Sequence, residues 1–278
     1  MNQQATEAPH LLVTEDDGIL IATLNRPEKL NALSMQLMHS LGEAVVRFRD
    51  TPGLKVMLIR ADGRYFSAGA DLKEGSGSGV ASPQTGSGIR EMHRRLPTDM
   101  RRIWDEIEHI EKPFVVAHQG MCVGGSLEMS LSCDFRLAAT SAGYAFPEAK
   151  FGVLPATNGV SRLTRLVGTH WARLLVMANM PVTAAEALNM GLVHKVYPDE
   201  TFRDEVMQFC RHLVGQNGEM MGTAKLAIEL CADLNAEQAG AVERMANSSL
   251  MLDPSYQDGM RRHLGTIGGK KDRGNPIG

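Results

Sequence analysis

The chain has 278 residues and 30.3 kDa, with 43% hydrophobic and 22% charged residues, an ordinary globular mixture that excludes a disordered or fibrous protein. A chain this long buries roughly 75% of the surface its unfolded form exposes, so it needs no disulfide or metal staple. Lys and Arg number 29 against 32 Asp and Glu, a net charge of −3, which speaks against a partner bound through a phosphate backbone.

In chain order, Leu11–Val13 and Ile19–Leu24 read as strands flanking the acidic turn Glu15-Asp16-Asp17-Gly18, a hairpin signal. A helix is expected from Ser34, whose hydroxyl can cap it, with Leu37, Leu41, Val45 and Phe48 along one stripe. Val56–Arg60 reads as a buried strand, followed by a loop from Ala61 to Gly69 and a Gly/Ser-rich loop from Gly75 to Gly88. That stretch opens no helix directly after a strand and holds no G-x-G-x-x-G, which excludes a dinucleotide cradle. A helix with Ile103, Ile107 and Ile110 on one face ends at Lys112-Pro113, and Phe114–His118 is the next buried strand. A helix from Gly124 to Cys133, with Asp134 as its terminator or cap, precedes the strand Phe135–Ala139. From Val160 the pattern is mainly helical, broken by a short strand at Val193–Val196, and the basic, Gly-rich end from Gly268 reads as frayed. Alternating strands and helices imply an α/β core with a helical appendage, a core over residues 1–200 and a helical region over 201–278.

No apolar run approaches the ~20 residues of a membrane span. The N-terminal MNQQATEAPH has neither the basic and apolar segments of a secretion signal nor the arginines of a mitochondrial leader, so a cytoplasmic chain with no membrane partner is expected. Cys122, Cys133, Cys210 and Cys231 form no C-x-x-C pair and have no histidine at zinc-ligand spacing; they read as free core thiols, with no metal site.

The chemistry concentrates between Gly120 and Arg162. Gly124-Gly125-Ser126 joins an apolar strand to a helix that starts at once, so a ligand can approach the backbone while unpaired N–H groups and the positive helix end face it. A carbonyl oxygen placed there would be polarised, and one such donor is worth ~3 kcal/mol to a reaction that builds an oxyanion. Glu128 lies in the first turn of that helix between apolar neighbours, and is either a favourable N-terminal charge or a tuned acid or base. Glu148 follows after a helix, a strand and the turn Phe146-Pro147, enough chain to return it to the same end of a sheet. Two carboxylates converging there could hold one water between them; spacing alone leaves that convergence open. His118, at the end of its strand, reads as a core histidine. Ser126 lies in no G-x-S-x-G elbow, which argues against a nucleophile.

Five co-linear motifs over about residues 10 to 200 resemble the crotonase (enoyl-CoA hydratase/isomerase) superfamily. They are Asn25–Leu33, Phe66–Glu74, Gly124–Glu128, Phe146–Glu148 with Gly152–Pro155, and Ala184–Val193. The resemblance implies a crotonase-like spiral of repeated ββα units and a C-terminal helical region, 201–278, that packs on neighbours in a homotrimer or homohexamer. It implies an acyl-CoA thioester as substrate, with no cofactor beyond the coenzyme A that the substrate carries. Backbone N–H groups at Ala70 and Gly125 would bind the thioester oxygen. Lys29, Leu30, Ala68, Asp71, Leu72 and Gly124 fall in segments that bind substrate and CoA, and Glu128 and Glu148 match the two acids of hydratases.

Isomerases of the family commonly keep one acid, so the pair favours an enoyl-CoA hydratase. An isomerase or another CoA-thioester lyase or hydrolase on the same scaffold is the alternative, and a non-catalytic acyl-CoA- or RNA-binding member is the alternative of another class. Two motifs depart from the usual pattern. Ser126 replaces the last glycine of Gly-Gly-Gly-Cys-Glu, and Pro155-Ala156-Thr157-Asn158-Gly159 stands for Pro-Gly-Ala-Gly-Gly. Those changes imply a reshaped acyl pocket in which Thr157 or Asn158 contacts a polar substrate.

Overall fold

The computed structural model describes residues 8–73, 85–95 and 100–267. They fall into two compact units divided between Gly215 and Gln216. In the first, β1 (Leu11–Asp16) and β2 (Ile19–Leu24) pair antiparallel around Asp17 and Gly18. Both turn residues have positive φ (45° and 82°), the backbone a two-residue hairpin of this hand requires. Helix α1 (Met35–Asp50) starts where the Ser34 hydroxyl accepts the Leu37 N–H at 3.2 Å. It buries Leu37, Met38, Leu41, Ala44, Val45 and Phe48, and Lys112 closes its far end by donating to the carbonyls of Phe48 and Thr51.

The chain then repeats one path. A longer strand enters the first sheet, a three-residue strand enters a second, and a helix returns. The first turn of this path is β3 (Val56–Ala61), β4 (Tyr65–Ser67) and the helices α2 (Gly86–Arg95) and α3 (Met100–His109). The second is β5 (Phe114–His118), β6 (Met121–Val123) and α4 (Gly125–Ser132). The third is β7 (Phe135–Ala139), β8 (Gly143–Ala145) and, after a 3-10 turn at Pro147–Phe151, α5 (Gly159–Ala172). β9 (Val182–Thr183), α6 (Ala184–Asn189), β10 (Lys195–Tyr197) and α7 (Phe202–Val214) complete the unit. The first sheet runs β1-β2-β3-β5-β7-β10, parallel beyond the hairpin; the second runs β4-β6-β8-β9. This is the expected spiral of ββα units with an α/β core.

Several expectations need correction. The segment 61–69 is not all loop, because Ala61 ends β3 and Tyr65–Ser67 is β4; three residues are too few to carry an alternating pattern. Of the Gly/Ser stretch, residues 75–84 lie outside the described residues, while Gly86 to Gly88 already belong to α2. The Gly-rich end from Gly268 also lies outside them. Asp134 does not cap α4: its carboxylate accepts the Phe114 N–H at 2.7 Å and so ties β5 to the start of β7. The end of α4 is instead held by Arg136, almost fully buried, which donates to the carbonyls of Ser130, Cys133 and Leu192. The core reaches past residue 200, since α7 turns Phe202, Val206, Cys210 and Leu213 inward against β2, β3 and β7. The second unit comprises α8 (Gly218–Cys231), packed on α9 (Ala236–Leu250), and α10 (Pro254–Ile267).

His118 is a core histidine with both ring nitrogens engaged. Nε2 lies 3.0 Å from the Ser130 hydroxyl and Nδ1 3.1 Å from the Tyr144 hydroxyl. The Phe66 and Tyr144 rings stand edge-on to it. Burial, and then the Arg136 charge, push its pKa down to about 3. The unfolded chain takes up that proton near pH 6.5 and the folded chain refuses it, so the stabilisation is complete above pH 6.5 and is lost as pH falls towards 3. The slope is about 1.4 kcal/mol per pH unit. Denaturant titrations between pH 7 and 4 should show it, and His118→Gln should be less stable at pH 7 with a shallower slope. An unchanged slope in that variant would place the acid sensitivity elsewhere.

Candidate active site

Two loops are stapled together to form one wall. Asn31 is fully buried at a left-handed φ of 52°, and its side-chain amide donates to the carbonyls of Asp62 (2.7 Å) and Tyr65 (3.0 Å) while its oxygen accepts the Arg26 N–H. The Ser67 hydroxyl donates to the Asn31 carbonyl, and Ala68 N–H to the Leu30 carbonyl. Leu33 N–H then donates to Gly69, and Asp71 N–H to Leu33, a short ladder that fixes the peptide carrying Ala70. Arg26 reaches across to Asp71 at 3.1 Å.

The opposite wall is the start of α4. Gly124 has φ 57° and ψ −127°, a conformation for glycine alone, and a Cβ there would stand 2.7 Å from Glu148 Oε1. A Cβ on Gly69 would lie 2.7 Å from the Val123 carbonyl and 3.4 Å from the Gly125 nitrogen, and one on Gly125 would lie 3.8 Å from the Ala70 nitrogen. The two amides are thus neighbours, and neither donates a hydrogen bond among the described residues. Ser126 is fully buried; its hydroxyl lies within hydrogen-bonding distance of the carbonyls of Ser67 (3.2 Å) and Val123 (2.9 Å) and accepts the Val123 N–H. It clamps the two walls together, which excludes it as a nucleophile.

Glu128, one turn into α4, is 4% exposed. Its Oε2 accepts the N–H groups of Thr157 at 2.8 Å and Gly159 at 3.0 Å, the latter the first residue of α5. A Cβ on Gly159 would come within 2.5 Å of that oxygen, so the carboxylate occupies the space a side chain would take. Burial raises its pKa, opposed by the Thr157 hydroxyl, the two amides and the Arg162 charge. Glu148 projects from the 3-10 turn. Burial raises its pKa as well, against only its own backbone N–H, and the Glu128 charge raises it further. Its Oε2 is buried with no hydrogen-bond partner among the described residues. The structure therefore brings Glu128, Glu148, Ala70, Gly124 and Gly125 together.

Of the other expected residues, Leu30, Ala68, Asp71 and Leu72 lie in the two stapled loops: Ala68 N–H donates to the Leu30 carbonyl, Asp71 is engaged by Arg26, and Leu72 is 66% exposed. Lys29 ends an exposed 3-10 turn on the same loop. Thr157 and Asn158, expected to contact a polar substrate, both have hydrogen-bond partners within the chain. The Thr157 hydroxyl accepts from Trp104 Nε1 at 3.2 Å, and Asn158 Nδ2 donates to Asp105 at 3.2 Å. Sequence reading passed over Asn31, Trp104 and Gly159. The first lies within a quoted motif and the last ends one, but Trp104 meets the site across 53 residues of chain and leaves no local trace.

A family profile described as enoyl-CoA hydratase/isomerase matches residues 14–267. The chain is 30% identical over 250 residues to the Mycobacterium bovis protein named "Probable enoyl-CoA hydratase echA8", covering 90% of this chain and 93% of that one. It is 34% identical over 210 residues, 75% of each chain, to the carnitinyl-CoA dehydratase of Salmonella enteritidis. The crystal structure of enoyl-CoA hydratase subunit I from Geobacillus kaustophilus superposes with a TM-score of 0.84 at 28% identity, over 92% of this chain and 95% of that one.

A carboxylate with one buried oxygen that lacks a partner makes a site that is costly to hold. Because the folded pKa of Glu148 lies above its unfolded value, its contribution to stability falls as pH rises from 4.5 through the folded pKa. Glu148→Gln should therefore be more stable than the parent at pH 8, on the order of 1 kcal/mol, with the gap closing by pH 4.5. Thermal melts at the two pH values test this, and a variant less stable at pH 8 would contradict it.

Proposed function

The chain belongs to the enoyl-CoA hydratase/isomerase family, and on that footing we propose that it adds water across the C2=C3 bond of a 2-enoyl-CoA thioester. The amides of Ala70 and Gly125 would take the thioester oxygen and stabilise the enolate charge that grows as water attacks C3. Glu128 would orient and deprotonate that water, and Glu148 would deliver a proton to C2. The observation that carries this division is the asymmetry of the pair. Glu128 has three donors and Arg162 favouring its charged form, whereas Glu148 has a bare buried oxygen and a charged neighbour. Two acids in one site separate in this way, and their titration belongs to the pair.

The CoA portion would lie along the loops that carry Lys29, Leu30, Ala68, Asp71 and Leu72, and the reaction draws on no further cofactor. Dehydration of a 3-hydroxyacyl-CoA is the same path reversed, which accommodates likeness to both a hydratase and a dehydratase. Among the described residues no helix is long and apolar enough to cross a membrane. The unbridged cysteines support a cytoplasmic location. We further propose a homotrimer or homohexamer assembled through the second unit, which exposes Ile228 (67%), Leu230 (54%), Met245 (69%) and Leu252 (85%). Sedimentation should give three or six times 30.3 kDa, and a monomer would refute the assembly.

Purified protein should consume crotonyl-CoA in water, followed by loss of the enoyl absorbance. Consumption of 3-enoyl-CoA with crotonyl-CoA untouched would instead identify an isomerase. Glu128→Gln and Glu148→Gln should each lower kcat by about 10²–10⁴ while KM moves only a few-fold. Near-parental turnover in either would remove that residue from the mechanism.

A further inference from the structure

Helix α3 grips the segment that holds Glu128. Trp104 is fully buried and its indole N–H points at the Thr157 hydroxyl, 3.2 Å away. One residue on, Asp105 accepts from Asn158 and, at 2.6 Å, from Arg162, which also binds Glu108 and donates to the Thr157 carbonyl at 3.1 Å. Asn158 sits at a left-handed φ of 67°, and the residues on either side of it, Thr157 and Gly159, donate their N–H groups to the same carboxylate oxygen.

The direction of the chain of hydrogen bonds follows from the chemistry of its members. An indole N–H only donates and an ionised carboxylate only accepts. The Thr157 oxygen must therefore accept from Trp104, which anchors the residue whose backbone N–H donates to Glu128 Oε2 at 2.8 Å. The hydroxyl is thus engaged by the scaffold. We propose that Trp104 and Thr157 form a positioning relay that holds Glu128 ionised and aimed at the water site. The proposal rests on the reading of Glu128 as the hydration base, and neither relay residue touches the reacting atoms.

The test is the pH dependence of kcat/KM. The charged groups around Glu128 are Glu148 from the 3-10 turn, Arg162 from α5, and Asp105 and Glu108 of α3, which reach it through Arg162. None of them is altered by Thr157→Val, which keeps the shape and removes the hydroxyl. Its acidic limb should move upwards, with kcat/KM falling about tenfold below the limb and KM little changed. Thr157→Ser should restore the parental limb, and Trp104→Phe, which keeps an aromatic ring without the donor, should shift it part of the way. A limb unmoved in Thr157→Val, or a Thr157→Ser variant that behaves like it, would overturn the relay. Independently of turnover, the infrared carboxylate band lost in Glu128→Gln should titrate at higher pH in Thr157→Val. An unmoved band would defeat the relay whatever the reaction, whereas a shifted band in a protein that leaves crotonyl-CoA untouched would defeat only the hydratase reading.

Discussion

A carboxylate that is 4% exposed must be met by donors or lose its charge, and the contact between Glu128 and the Thr157–Gly159 backbone is the constraint from which the rest of the site follows. The carboxylate lies in the first turn of one helix, and an amide at the start of another reaches it. The ends of α4 and α5 are therefore locked to each other across the pair. Arg162 gathers Asp105 and Glu108 beside that lock, so the loop is anchored to α3 as well. Once α4 is placed, Gly125 at its start falls beside Ala70, and the room next to Gly124 is filled by Glu148. Two neighbouring backbone amides and two carboxylates thus share one helix start.

Much of this was legible in the chain. The β1–β2 hairpin, the Ser34 cap and the Leu37–Phe48 stripe are local patterns, in which side-chain period and backbone chemistry act over a few residues. The paired glutamates were visible as candidates, and co-linear motifs marked the loops that face them. What stayed hidden is long-range. The second sheet is built from strands of two or three residues, shorter than any alternation. Asp134 follows a helix and reads as its cap, yet its partner is Phe114, 20 residues earlier. The core boundary moved for the same reason: α7 looks like the first of a helical run, and only its inward Phe202, Val206, Cys210 and Leu213 assign it to the sheet.

Thr157 and Asn158 are the instructive case. Two polar residues where glycines and alanine are usual suggest a polar ligand, because an unpaired hydroxyl or amide in a pocket has to bind something. The structure supplies the something from within, Trp104 for one and Asp105 for the other. A polar residue beside a site therefore identifies a demand for a partner, and the sequence leaves open whether a substrate or the scaffold meets it.

The pattern of kept and lost glycines then has a physical explanation. At Gly124 and Gly159 a Cβ would stand 2.7 Å from Glu148 Oε1 and 2.5 Å from Glu128 Oε2, so neither position takes a side chain without moving an acid, and Gly124 also has a backbone that only glycine adopts. At position 158 the requirement is only a left-handed backbone, which asparagine tolerates, and its side chain gains a hydrogen bond that glycine would lack. Position 126 needs no special dihedral, and there serine adds a clamp between Ser67 and Val123. Glycine is retained beside the two carboxylates, and where it is exchanged the new side chain, Asn158 or Ser126, adds a hydrogen bond, so these substitutions leave the space beside both carboxylates free while tightening the frame around them.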